Sequence, residues 1–303
     1  MQFASQAIVT DSDTDVTSPD TNAQLVNSLS SEENPQDNTE SNNILEVSPQ
    51  DKELIDRCIF NYNHNIYLGE IGNEEIRMII TRTEDKLSAA YTTRNGEEEF
   101  FNGKLKKDSA GITLNTNNGE TLDGSISIDD NGFIGINFKG VLSGNNVVFT
   151  IRWETFFPIE GDDKNYYSHL GYNAESVERF AKQIKDSIDD KDAFAELIRY
   201  PISIKIDGND FRIENKKEMI DIYDRLMKEN DFGQQVKNMF TKYMFANYMG
   251  VCIEDGIIWF DSDTSGNYKV TAINPPLPDE DSFTYLRAEL VKEVSGWKED
   301  KNV

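Results

Sequence analysis

The chain has 303 residues, with 30 Lys and Arg against 55 Asp and Glu, a formal net charge of -25. That length suits about two domains. The charge argues against nucleic acid and anionic membrane as partners, because counterion release and headgroup attraction both require clustered cations. A basic protein, a divalent cation or plain solubility is compatible with the acidity.

Residues 1–53 form the first compositional block, with eleven acidic residues, Lys52 as the sole cation and Phe3 as the sole aromatic. Such a segment buries too little apolar surface to offset the entropy of ordering it. It reads as a disordered acidic tail, either a spacer holding a surface domain off an envelope or an uninformative extension. The start, Met1-Gln2-Phe3-Ala4-Ser5-Gln6, lacks the basic and apolar regions of a signal peptide. No apolar run reaches the roughly 18 residues that span a bilayer, so no membrane insertion is expected. A secreted or surface-attached location is the reading that a spacer suggests, with the cytoplasm as the alternative.

Residues 54–158 carry a period of two. Ile76, Met78 and Ile80 alternate with Arg77, Ile79 and Thr81, and Leu122, Gly124, Ile126 and Ile128 share one face. Ile134, Ile136 and Phe138 repeat the pattern, as do Val147, Phe149, Ile151 and Trp153. Between the runs lie Gly72-Asn73, Asn95-Gly96, Asn117-Asn118-Gly119, Asn131-Gly132 and Ser143-Gly144-Asn145, which suit tight hairpins. The pattern predicts about eight antiparallel strands in a meander. Closure into a small barrel removes its edges, and an open sheet against a second domain is the alternative. The outward positions are rich in Glu, Lys, Asn and Thr, so one face is expected to be wet.

Residues 159–173 read as a connector, with Tyr166, Tyr167 and Tyr172 around His169 placed to seal a domain junction. From residue 174 the period becomes 3.6: Val177, Phe180, Ala181, Ile184 and Ile188 form a helical stripe. A short helix over 192–199 ends at Tyr200-Pro201, since the residue before proline leaves the α region. A hairpin follows through Ile202, Ile204 and Ile206, Asp207-Gly208-Asn209, then Phe211 and Ile213. Asn215 with Glu218 resembles a capping box and opens a helix carrying Met219, Ile222, Tyr223 and Leu226. A further helix is expected to carry Val236, Met239, Phe240 and Tyr243, before strands at Met249–Ile253, Ile257–Trp259 and Tyr268–Ala272.

The order helix, helix, hairpin, helix, helix, strand meander, with Tyr200-Pro201 before the hairpin, resembles the nuclear transport factor two-like superfamily over about residues 174–274. The resemblance implies an α+β cone, a curved sheet wrapped around its first long helix, over residues 174–276. Enzymes of that superfamily use buried Asp, Tyr or His in the cone to move protons. Asp221, Tyr223 and Asp224, with Tyr243 or Tyr248, are the groups of that kind here, yet none sits in a family motif. Asp221 and Asp224 fall between apolar positions and suit the solvent face. Residues 277–303 read as a C-terminal tail with room for a short helix bearing Phe283, Leu286, Leu290 and Val294.

The remaining chemistry is sparse. Asp261-Ser262-Asp263-Thr264-Ser265-Gly266 begins like a calcium loop, but the twelfth position, where a bidentate Glu is needed, is Ala272. A polar hairpin turn accounts for it better. Asp11-Ser12-Asp13-Thr14-Asp15 has similar spacing without the glycine. The two histidines, His64 and His169, lie outside the predicted cone, and the two cysteines, Cys58 and Cys252, fit no metal spacing and read as buried free thiols. Trp153 and Trp259 sit at core-periodic positions. No catalytic, cofactor-binding or metal-binding residue is therefore assigned. The leading expectation is a non-catalytic binding or protein-interaction module with a small-molecule or protein partner. An isomerase or lyase working from the cone, and an acidic inhibitor or immunity-type protein that binds a basic partner, are the alternatives.

Overall fold

A computed structural model describes residues 48–276, apart from 130, 162 and 163. The expected tail up to residue 47, its Asp11–Asp15 run and the expected C-terminal helix beyond 276 lie outside the described residues. The tail's expected end at residue 53 falls inside a helix, α1, over Pro49–Cys58. Ser48 caps it, its Oγ accepting from Asp51 N at 3.1 Å, and Pro49 stands in the first turn, where its missing N–H costs nothing. Ile55 and Cys58 share the buried face of α1.

Eight strands follow: β1 Asn63–Ile71, β2 Glu74–Thr83, β3 Lys86–Thr93, β4 Glu98–Leu105, β5 Gly111–Thr116, β6 Thr121–Ile128, β7 Ile134–Leu142 and β8 Asn145–Pro158. Each pairs antiparallel with the next, and β8 returns to β1, so the meander closes into a barrel. The open-sheet alternative is removed. Gly119 and Gly132 take positive φ in their Asn-Gly turns, the conformation these hairpins need.

The barrel interior is packed with side chains. Met78, Phe101, Ile112, Leu114, Phe138 and Ile151 are all almost wholly buried in one cluster, and Phe138 stacks on Phe149 at 5.1 Å. Ile55, Cys58 and Ile59 join that cluster from α1 and the residue after it. Tyr67 OH donates to Cys58 O at 2.7 Å, and Arg82 Nη1 donates to Ile59 O at 2.7 Å and to Asp56 at 2.8 Å. Those bonds satisfy carbonyls at the end of α1 that the helix itself leaves open.

The outer face is not polar all round. Ile66, Ile79, Ala90 and Phe157 are buried in the core of the C-terminal half instead. In β2, Met78 and Ile80 therefore serve one core and Ile79 the other, which is why Arg77-Met78-Ile79-Ile80 is buried throughout.

That half contains a 3-10 turn at Ser168–Leu170, α2 Ala174–Ser187, α3 Lys191–Glu196, β9 Ile202–Ile206, β10 Asn209–Ile213, α4 Lys216–Lys228 and α5 Phe232–Asn238. It closes with β11 Phe245–Asn247, β12 Gly250–Ile253, β13 Ile258–Ser262 and β14 Tyr268–Ile273 in a four-stranded sheet. The expected order of elements is present, and Tyr200-Pro201 is a cis peptide. Three details differ from expectation. The short helix expected over 192–199 stops at Glu196, because Leu197 O and Arg199 N bond to Val270 instead. The fourth helix ends at Asn238, and Phe240 N turns away to donate to Glu254 Oε1 at 2.8 Å. The meander gains a strand, β11, which leaves Met249 at a hairpin tip. Phe180 of α2 packs on Phe260 at 5.1 Å and on Tyr268 at 5.7 Å, so this interior is filled as well.

Candidate functional site

Among the described residues both interiors are packed with side chains, which leaves the surface and the seam between the halves to offer a site. Two clefts stand out, and both open broadly to solvent. One, of about 440 Å³, is lined by Lys52, Asp56, Asn61, Arg82, Glu84 and Asp85 at the α1 end of the barrel. Its arginine is engaged, since Arg82 binds Asp56 and two backbone carbonyls. The other, of about 540 Å³, lies between α2, α3 and the β13–β14 hairpin. Its Lys269 Nζ is held by Glu196 O at 2.6 Å, and its Asp263 is spent on turning the hairpin.

The seam is more distinctive. Phe240 is fully buried, with the Arg94 guanidinium 4.4 Å and the Arg77 guanidinium 4.9 Å from its ring centroid. Arg77 pairs with Glu154 at 3.2 Å, and burial raises the Glu154 carboxyl while Arg77 opposes that rise. Arg94 leaves the β3–β4 turn to pair with Glu75, with Glu254 at 3.1 Å and with Asn238 O at 2.6 Å. Its own carbonyl accepts from Lys185 Nζ of α2 at 2.6 Å. Cations over an aromatic face and carboxylates beside them describe a lock between halves.

Close by, Lys242 Nζ lies 2.6 Å from Glu98 of β4 and 3.5 Å from Glu178 of α2, and Tyr243 OH donates to Glu98 at 3.2 Å. Burial pushes the Glu178 carboxyl up to about 7, with Lys242 lowering it and Glu98 raising it further. Burial, then Glu98, also raises the Tyr243 phenol. A carboxyl near neutrality beside an ammonium and a phenol has proton-transfer chemistry. Here those groups satisfy one another, and the Tyr166 ring packs on Tyr243 at 5.3 Å.

At the barrel rim, Phe60, Trp153 and Phe156 make an aromatic cluster with centroids 4.7 Å (Phe60–Phe156), 6.0 Å (Phe60–Trp153) and 6.4 Å (Trp153–Phe156) apart. Trp153 is 37% and Phe156 42% exposed, which corrects the core reading of Trp153. The register shift between Ile66 and Tyr67 inserts Glu154 as an extra residue in β8. Beyond the last filled layer, at Ile151, the period of two therefore delivers Trp153 to the rim. Asn65 secures the neighbouring loop, its side chain accepting from Phe60 N at 2.9 Å and donating to Phe60 O at 3.1 Å. A second apolar surface gathers at the sheet edge, where Phe245 meets Trp259 edge-on at 6.3 Å and Tyr248 is 89% exposed.

The groups singled out from sequence are scattered. Asp261 accepts from Tyr172 OH at 2.7 Å, and Asp263 accepts from Ser265 N and Asn267 N, the bonding of a polar turn. His64 is buried on β1 with Nδ1 2.8 Å from Thr81 Oγ1, and His169 stacks on Phe157 at 5.2 Å. Cys58 and Cys252 are free, buried thiols in separate places, each pushed up to about 12 by burial. Asp221 and Asp224 face solvent, while the Tyr223 hydroxyl donates to Ile188 O. Among the described residues, no three His, Cys, Asp or Glu side chains gather to hold a metal ion, and no helix is long and apolar enough to cross a membrane.

A scan against protein-family models, a search of curated proteins and a search of solved structures each returned no match. Sequence reading missed both the rim cluster and the Glu98–Lys242–Glu178 group. The first had a signal in Trp153-Glu154-Thr155-Phe156-Phe157, where two successive aromatics break the alternation. The second joins positions far apart in the chain and had none.

Proposed function

We propose that this chain is a non-catalytic protein-interaction module that binds through the exposed aromatic rim of Phe60, Trp153 and Phe156. The observation that carries this reading is the filling of both interiors, by Phe101, Phe138 and Phe149 in the barrel and by Phe180, Phe260 and Tyr268 in the C-terminal half. With both interiors packed by side chains among the described residues, recognition falls to the surface. Half-exposed Trp and Phe side chains on a rigid strand are the usual anchors of such contacts. The acidic balance, -25 over the chain, favours a partner of basic character.

The test is a photo-crosslinking residue placed at Phe156 and, as a control, at Val148, which is 84% exposed elsewhere on the barrel. In the cells that make the protein, position 156 is expected to capture one discrete protein that position 148 does not, and Phe60→Ser is expected to weaken that capture. Equal labelling at the two positions, or none, overturns the reading.

A proton-transfer enzyme is the second reading, favoured by Glu178 near neutrality beside Tyr243. It requires substrate access to Glu178, whereas Glu98, Lys242 and the Tyr166–Tyr243 pair crowd that position. We further read residues 174–276 as a cone of the nuclear transport factor two-like kind, supported by the order of elements and by the packing of α2 on β13 and β14. An experimental structure with that sheet lying flat, away from α2, removes this reading. The spacer-like composition of residues 1–53 supports placement outside the cytoplasm.

A further inference from the structure

One group of side chains that joins the two halves carries more negative than positive charge. Glu98 comes from the barrel, Glu178 from α2, and Lys242 and Tyr243 from the segment between α5 and β11. Lys242 serves both carboxylates, closely at Glu98 (2.6 Å) and more distantly at Glu178 (3.5 Å). Glu98 has Tyr243 OH as a second donor. The side chains of Glu98, Glu178 and Lys242 are only 21%, 18% and 27% exposed, so solvent screens the imbalance poorly.

The neighbouring charges are committed elsewhere. On α2, Arg179 pairs with Glu175 and Lys182 with Asp186, both in solvent. Lys185 binds the carbonyls of Arg94 and Met239. From the barrel, Arg94 is held by Glu75 and Glu254. The Tyr166 ring packs on Tyr243 at 5.3 Å and on Tyr167 at 4.5 Å, with the His64 ring beyond it at 6.2 Å. Lys242 is thus the cation that Glu178 meets.

We propose that Glu98, Lys242 and Glu178 form a proton-sensitive clasp between the barrel and α2, tighter when Glu178 is protonated and looser when it is ionised. With the proton on, one ammonium faces one carboxylate, and the charges balance. With the proton off, two carboxylates from opposite halves compete for that ammonium in a poorly hydrated seam. Burial places this change near neutrality, at about 7 against an ordinary 4.5.

Hydrogen exchange of the full chain, corrected for intrinsic rates and compared at pH 6 and pH 8, tests it. The opening constant for amides of β4 and α2 is expected to rise about tenfold over that interval, as linkage to a single raised carboxyl requires. Glu178→Gln is expected to abolish the rise, and Glu175→Gln, on the exposed side of α2, to keep it. Glu98→Gln leaves Lys242 to Glu178 alone, and moves the rise to lower pH. A wild-type chain without the rise, a Glu178→Gln chain that retains it, or a Glu98→Gln chain with the rise unmoved overturns the proposal. If Glu178→Gln fails to fold, the Glu98→Gln arm decides.

Discussion

Arg94 of the barrel lies over the ring of Phe240 at 4.4 Å, and its side chain also reaches Asn238 O and Glu254 on the other half. A single side chain from a hairpin turn thus makes a ring contact, an ion pair and a carbonyl bond across the seam. Removing it leaves Glu254 and Glu75 without their cation and strips one face from a buried ring.

Arg94→Ala is therefore expected to lower stability by about 2–3 kcal/mol in urea unfolding. Arg94→Lys is expected to recover less than half of that loss, because an ammonium keeps the charge but neither the flat stack nor the forked bonding. A neutral Arg94→Ala variant means that the seam is held elsewhere.

Tyr67→Phe removes the hydroxyl that binds Cys58 O at the end of α1. The group is fully buried, so its loss is expected to cost about 1–2 kcal/mol, and the amides of α1 are expected to exchange faster while those of β6 and β7 do not. Unchanged exchange in α1 indicates that apolar contacts alone seat the helix.

Phe138→Ala tests the filled barrel. With Phe149, Ile112 and Ile136 around it, the deletion leaves a cavity, and a loss of about 3–5 kcal/mol is expected in chemical denaturation. A loss below about 1 kcal/mol points to a barrel with room inside, and returns the small-molecule readings to contention.

Glu178 also leaves a mark on global stability. Its folded pKa of about 7 lies above the ordinary 4.5, so between those values the folded chain holds a proton that the unfolded chain has lost. Its contribution is therefore full below about pH 4.5 and falls as pH rises to about 7. Glu178→Gln is expected to flatten that part of the stability–pH curve and to exceed the wild type in stability at pH 8. Curves that stay parallel through neutrality contradict the assignment.

The elements whose physics is local were the ones legible in the sequence. Asn-Gly turns and a period of two gave the eight strands, and Asn215 caps α4 through its own side chain as its spacing to Glu218 indicated. The first helix was hidden, because Ser48-Pro49 opens it inside a polar run whose composition spoke for disorder. Reading Ile79 as one of the strand's outward positions was right, yet nothing nearby said that a second core would cover it. Trp153 followed the alternation faithfully and still reached the rim, because a bulge and the end of the barrel decide exposure there. Glu98, Glu178 and Lys242 come from three distant elements, so only the tertiary fold could bring them together.

Recognition at the rim is expected to leave both interiors undisturbed. Titrating the protein captured at position 156 into an isotope-labelled chain, while following the Trp153 indole and the methyl groups of Ile136, Ile151 and Ile184, tests it most directly. The Trp153 signal is expected to move in proportion to binding while the three interior isoleucines hold their shifts. Interior methyls that move while Trp153 stays still contradict it.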